Sequence, residues 1–183
     1  MLDKNFFRRD TRTVAQELLG KYLYREIDGK LYRGIISETE AYHGPDDLAC
    51  HCAKGKTPRT EIMFDEGGKI YVYLIYGMYD MLNFTTMDKG FPAAVLIRGI
   101  MQPEVWKNGQ FVPLAVKTDG PGKLTKHFQI TRDLNKKIIA PETGLWVEES
   151  GIIPQSVIQT PRIGVDYANE WKDKPWRYVI KKL

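Results

Sequence analysis

The chain has 183 residues and a mass of 21.1 kDa, with 43% hydrophobic and 27% charged residues and a formal net charge of +4. That length fits one domain over residues 1–183 and buries about 70% of the unfolded chain's surface, while the composition excludes a disordered or fibrous protein. No run approaches the roughly 18 uncharged apolar residues of a membrane span, and Lys4, Arg8, Arg9, Asp10, Arg12 and Glu17 leave no apolar signal-peptide core, so a cytoplasmic chain is expected.

An early helix is expected first. Asp10 or Thr11 can cap it, Val14, Leu18 and Leu19 form its apolar side, and Gly20 ends it. Tyr22 to Ile27 reads as a strand, Asp28-Gly29 as a hairpin turn, and Leu31 to Glu40 as the return strand. His43 to Thr60, with Gly44, Pro45, Asp46, Asp47, Gly55 and Pro58, reads as a long loop of the functional kind. Cys50 and Cys52 lie too close in sequence for an unstrained bridge and are expected as thiols of a reducing compartment.

Ile70 to Tyr76 and Tyr79 to Thr86 read as an aromatic hairpin turning at Gly77-Met78. Ala93 to Ile100 is a further strand, apolar until Arg98. Gly120-Pro121-Gly122 precedes a helical stretch, Lys123 to Phe128. Leu145 to Glu148, Arg162 to Asp166 and Trp176 to Lys181 complete the strand candidates. Hairpins outnumber crossovers. The expected fold is α+β: a curved, mainly antiparallel sheet with a protruding hairpin and short flanking helices.

Glu38 and Glu40 are two apart on a strand and share a face, which Tyr42 continues. Two unpaired carboxylates are not core, so the face is wet or one of them works in a cleft. A carboxylate beside aromatic rings suits general-base activation of water. Tyr71 and Tyr79 read as half-buried strand residues. Tyr76 is different, because a ring at a hairpin tip can wedge between bases or anchor a partner. Gly55-Lys56-Thr57 ends like a phosphate loop, but Cys50 stands where that motif needs glycine. Cys50-His51-Cys52 lacks a second metal-ligand pair at zinc spacing, so no metal is expected. Lys117 to Lys137 holds six basic and two acidic residues, and Glu170 to Leu183 five and two. Two basic segments on a nearly neutral body suggest a local anionic footprint, although charge alone favours reading them as solvated surface.

Glu38-Thr39-Glu40-Ala41-Tyr42, Gly44-Pro45, His51, Thr57-Pro58-Arg59, Met63-Phe64, the run Tyr71 to Tyr79 and Asn83 occur in the order of one family's motifs. Val95 to Arg98, Gly120 to Leu124 and Arg162 to Val165 continue the series. In these features the sequence resembles the alkyladenine (3-methyladenine) DNA glycosylases over nearly its whole length, and looks like a minimal catalytic domain of the bacterial type. The resemblance implies that Glu40 activates a water, held by Arg98 and the Val165 carbonyl, for attack on C1′ of a flipped nucleotide. It implies a base sandwich of Tyr42, His51 and Tyr73, an Asn83 side chain that crowds guanine, and a minor-groove wedge at Tyr76 and Met78. Phosphate contacts fall on Thr57 and Arg59. No cofactor and no covalent lysine intermediate are implied; the implied partner is double-stranded DNA with damaged purines, met by a monomer.

The chemistry of the residues agrees with those roles. A purine within the duplex must be extruded at a cost of a few kcal/mol, and aromatic stacking offsets roughly 1–3 kcal/mol of it. Alkylation makes the purine cationic, hence a better leaving group with a cation–π attraction to tyrosine. Lys123, at an expected helix start, suits a phosphate. A carbohydrate hydrolase using Glu38 and Glu40 is a rival, though catalytic carboxylates flank the bond from opposite sides. A non-catalytic nucleic-acid module is another, but it leaves Glu40 repelling a polyanion.

Overall fold

The structure is a computed structural model that describes residues 1–183. Two short helices open the chain, α1 (Lys4–Phe7) and α2 (Thr11–Glu17). Asp10 caps α2 by accepting from the Arg12 and Thr13 amides, and Asp3 does the same for α1 through Phe6. Nine strands follow: β1 (Tyr22–Ile27), β2 (Lys30–His43), β3 (Ile70–Ile75), β4 (Tyr79–Thr85), β5 (Ala93–Lys107), β6 (Gln110–Pro113), β7 (Leu145–Glu148), β8 (Ser156–Thr160) and β9 (Arg177–Lys182). The third helix, α3 (Pro121–His127), lies between β6 and β7.

All pairings are antiparallel, and the main order is β3-β4-β5-β2-β1-β7. The α+β expectation therefore holds. Asp28 and Gly29 turn β1 into β2 with φ values of 49° and 71°, the left-handed pair that a tight hairpin requires.

Two features of the long central strands place the site. First, the sheet forks along β2. Its early residues pair with β1, whereas Glu38, Thr39 and Glu40 pair with Val179, Tyr178 and Arg177 of β9. Second, β2 and β5 are bulged against each other. Glu38 faces Gly99 and Thr39 faces Ile97, which leaves Arg98 as an extra residue. A bulge of this kind redirects its side chain. A Cβ on Gly99 would come 3.0 Å from Ser37 Oγ, so the strands close tightly here.

The central strands alternate. Thr39, Ala41, Ile70, Val72, Leu82, Phe84, Val95 and Ile97 turn to one side and are buried. Most belong to a core of 26 residues closed by Val14 and Ala15 of α2, Leu18 at its C-cap, and Leu124 and Phe128 at α3. Thr39 Oγ1 donates to the Ala15 carbonyl and ties α2 to the sheet. Alternate residues on the other side form the site described below.

The structure corrects several expected elements. Residues 162–166 are not a strand: the Ile163 amide donates to the Glu40 side chain instead of joining a ladder. The strand of that region is β8, and β6 is a further strand on the extended end of β5. The β3–β4 hairpin turns on Tyr76-Gly77, at φ 52° and 70°, with the Met78 amide donating to the Ile75 carbonyl.

Candidate active site

One row of opposed residues crosses five strands: Arg177 (β9), Glu40 (β2), Leu96 (β5), Asn83 (β4) and Tyr71 (β3). Tyr42 and Ala94 flank it on one side, Met81 and Tyr73 on the other. This sheet face, His51 from the long loop and the 163–167 segment enclose a cavity of about 400 Å³. Such a volume lies within the usual range of small-ligand sites.

Glu40 has no exposed surface, yet both its carboxylate oxygens are engaged. Oε1 accepts from the Ile163 amide at 2.9 Å, and Arg98 Nε lies 3.4 Å from it. Oε2 accepts from the Tyr42 hydroxyl at 2.7 Å. Burial pushes the Glu40 carboxyl up from its ordinary range, and the Arg98 charge, the Ile163 N–H and the Tyr42 O–H oppose that shift. Glu40 itself does not form part of the cavity wall; its three partners Tyr42, Arg98 and Ile163 do, so the carboxylate lies directly behind them.

Glu38 has a different environment from its neighbour. Its Oε1 accepts from Arg98 Nε at 2.8 Å and Arg177 Nε at 2.6 Å. It is thus a structural carboxylate rather than a solvated one.

The rings come from three segments. His51 and Tyr73 meet edge to face with centroids 4.6 Å apart, and Tyr42 lines the same cavity from β2. Tyr71 is buried and shares a hydrogen bond of 3.2 Å with His51 Nδ1. Burial, with Arg59 and Lys54 nearby, lowers the His51 pKa to about 4, so its imidazole is neutral at neutral pH. Burial holds Tyr42 and Tyr73 protonated well above the ordinary tyrosine range. Asn83 Nδ2 donates to the Tyr71 and Met81 carbonyls, which fixes the amide at the cavity wall.

Cys50 and Cys52 form a buried disulfide that brackets His51, contrary to the sequence expectation. A turn of 3-10 helix beginning at His51 brings their Cα atoms to 5.2 Å, inside the span that a disulfide bridges.

A buried pair absent from the sequence reading supports the site from behind. Arg162 donates to both oxygens of Asp47, at 2.6 and 2.8 Å, and to the Ala41 carbonyl. Its guanidinium lies 4.8 Å from the Tyr42 ring centroid. Asp47 in turn accepts from the His43 and Ala49 amides. The pair thereby joins β2, the loop leading to His51 and the chain that delivers Ile163 and Val165. Removing one partner of such a pair costs about 3–5 kcal/mol.

The remaining residues from the sequence reading lie around the mouth. Arg59 is exposed, lines the cavity and sits 4.9 Å from the Tyr73 centroid. Thr57 instead makes a turn with Thr60 and lies outside the cavity. Tyr76 reaches the cavity rim but is 81% exposed, and Met78 beside it is 67% exposed. Lys123 lies outside the cavity on α3, its Nζ held by Asp119 at 2.8 Å. The Tyr79 ring packs so closely on Gly122 that a Cβ there would approach to 2.7 Å, so α3 stands against the base of the hairpin. Val165 is buried, packs with Ala49 and Ala168, and lines the cavity next to Ile163.

Comparison with known proteins gives this geometry a family. The methylpurine-DNA glycosylase family matches residues 5–183. A protein of Sodalis glossinidius is 46% identical over 178 residues, covering 97% of this chain and 95% of that protein. One of Rickettsia felis is 45% identical over 186 residues, with 100% and 94% covered, and one of Methanocella arvoryzae 41% over 192, with 99% and 92% covered. All three carry the provisional name 3-methyladenine DNA glycosylase. The extent of these matches, over a chain whose motif residues gather at one aromatic cavity, leads to one conclusion: the chain belongs to the methylpurine-DNA glycosylase family.

Proposed function

We propose that the protein is a monofunctional DNA glycosylase that flips alkylated or otherwise damaged purines out of duplex DNA and hydrolyses their N-glycosidic bond. The observation that carries this reading is a fully buried Glu40 whose partners Tyr42, Arg98 and Ile163 line an aromatic cavity, with an exposed tyrosine hairpin at its rim. In the bound state the base enters between Tyr42 and the His51–Tyr73 pair, the amide of His51 meets its edge, and Asn83 crowds a guanine amino group. Glu40 takes a proton from water as the water attacks C1′. Its negative charge, in a site closed to bulk solvent, stabilises the oxocarbenium-like transition state. Arg98 and the Val165 carbonyl hold that water. Tyr76 and Met78 fill the space left in the duplex, and Thr57, Arg59 and Lys123 approach phosphates.

The surroundings of Glu38 weigh against a carbohydrate hydrolase. An acid/base pair places its two carboxyls on opposite sides of the bond, whereas Glu38 shares a strand face with Glu40 and is bonded to two guanidiniums, Arg98 and Arg177. A passive binding module does not account for the cost of burying Glu40. The test is incubation with alkylated duplex DNA and detection of free base. Wild-type protein releases base, and Glu40→Gln binds the damaged duplex but releases at least a hundredfold less, following the loss of general-base catalysis. Binding without release by the wild type supports the module, and undiminished release by Glu40→Gln refutes the assigned chemistry.

A further inference from the structure

Resting on that reading, we propose that Arg177 is a positioning residue of the reaction: by neutralising Glu38 it leaves the charge of Arg98 free to keep Glu40 ionised. Arg177 touches no part of the cavity wall. It stands opposite Glu40 in the β2–β9 ladder, and its side chain crosses to Glu38. Its Nη1 donates to Thr160 Oγ1 on β8 at 3.0 Å, so the guanidinium is anchored at both ends.

The arrangement is a chain of four charges. Arg177 and Arg98 both donate through Nε to one oxygen, Glu38 Oε1, and the same Arg98 Nε lies 3.4 Å from Glu40 Oε1. Two carboxylates and two guanidiniums balance. Without Arg177 the cluster is one negative charge in excess, and Glu38 competes undivided for Arg98. Both effects disfavour ionised Glu40. The other groups that face Glu40 do not compensate: the Tyr42 hydroxyl from β2 and the Ile163 amide are neutral donors, and Tyr73 from β3 is neutral. Arg162, behind Tyr42, is neutralised by Asp47. The bulge at Arg98 explains why a second cation is needed. An extra residue lacks a ladder partner on β2 and takes its direction from its side-chain contacts, of which Glu38 is the shorter.

The experiment is single-turnover base release from alkylated duplex DNA against pH, with melting temperature recorded for each variant. In Arg177→Gln the acid limb of the profile moves up by on the order of one pH unit, so release below the limb falls about tenfold while the alkaline plateau persists. Arg177→Lys retains the charge and stays near the wild-type limb. In Glu38→Gln/Arg177→Gln the cluster is again balanced, and the introduced amide oxygen on β2 still accepts from Arg98, so the limb returns towards wild type. That double variant leaves no unpaired charge and decides the matter if the single variant fails to fold. A limb unmoved in Arg177→Gln, with release lowered equally at all pH, overturns the proposal and leaves Arg177 a structural residue. So does a double variant whose limb stays displaced. Absence of release by the wild type at every pH refutes the glycosylase reading itself, a different outcome from an unmoved limb.

Discussion

Replacing Tyr76 with serine should damage function while barely touching stability. The ring is 81% exposed, so only about a fifth of a side chain worth roughly 200 Å² is buried in the free protein. At about 25 cal/mol/Å² that burial contributes about 1 kcal/mol. The backbone works in the opposite direction. Tyr76 has φ 52°, a left-handed conformation that costs a non-glycine residue about 1–2 kcal/mol. Serine keeps that strain and loses the small burial, so the melting temperature falls by a few degrees at most. Tyr76→Gly removes strain and ring together and should be neutral to slightly stabilising. Function loses more. As a wedge in the vacated space, the ring would contribute roughly 1–3 kcal/mol of stacking against a base-flipping cost of a few kcal/mol. Release from a paired lesion should therefore slow by about tenfold or more in both variants. A lesion opposite a mismatch is easier to extrude and should lose less. The assay is thermal melting together with single-turnover release on paired and mispaired duplexes. A large loss of stability, or an equal slowing on both duplexes, would refute the wedge and return Tyr76 to the pocket wall.

Two other outcomes follow from the charges. Lys123→Ala should weaken binding to damaged and undamaged duplexes by the same factor and flatten the salt dependence by about one unit of slope, whereas Asp119→Asn, which frees the Lys123 ammonium, should tighten both; a loss confined to damaged DNA would place Lys123 at the base pocket. The depressed His51 pKa, about 4 against an ordinary 6.5, makes its neutral form a native-state requirement, so its contribution is complete above pH 6.5 and drains away as pH falls towards 4, by at most about 3 kcal/mol and less for the solvent-facing part of the ring. Urea unfolding between pH 7 and 4 should therefore show a shallower loss for His51→Asn than for wild type, and parallel curves would contradict the assignment.

The sequence pattern shows some parts of this molecule directly and hides others for definite reasons. β1 and β7 occupy the expected residues because their ends carry clear turn chemistry. Helix α2 is announced by Asp10, whose side chain caps it. The stretch from Arg162 to Asp166 alternates like a strand, but its backbone donors serve a side chain, a use that alternation cannot reveal. β8 is an outer strand paired on one side only, with Val157 exposed, and so lacks the alternation of a half-buried strand. At the site, the shared face of Glu38 and Glu40 was legible from their spacing. The inequality between them was not: Glu38 is bonded by Arg177, 139 residues away. Asp47 sits in a Gly-Pro-Asp-Asp stretch that reads as an ordinary turn, and only the fold brings Arg162 to it.

The chemistry available in the cavity also narrows what leaves it easily. A neutral purine departs well only if it gains a proton, whereas a purine alkylated at N3 or N7 already carries the positive charge. His51 is neutral, and burial makes Tyr42 and Tyr73 still weaker acids than free tyrosine. None of the three rings is thus a ready proton donor at neutral pH. On the proposed mechanism a negative charge at Glu40, by contrast, would act on any leaving base, because it would stabilise the sugar cation that every such reaction generates. Catalytic power placed on the sugar side, with electron-rich neutral rings on the base side, favours bases that bring their own charge. On the proposed mechanism the buried ion-pair cluster bears on selectivity as well as rate: it opposes the upward push of burial on Glu40, and it does so without placing an acid beside the base.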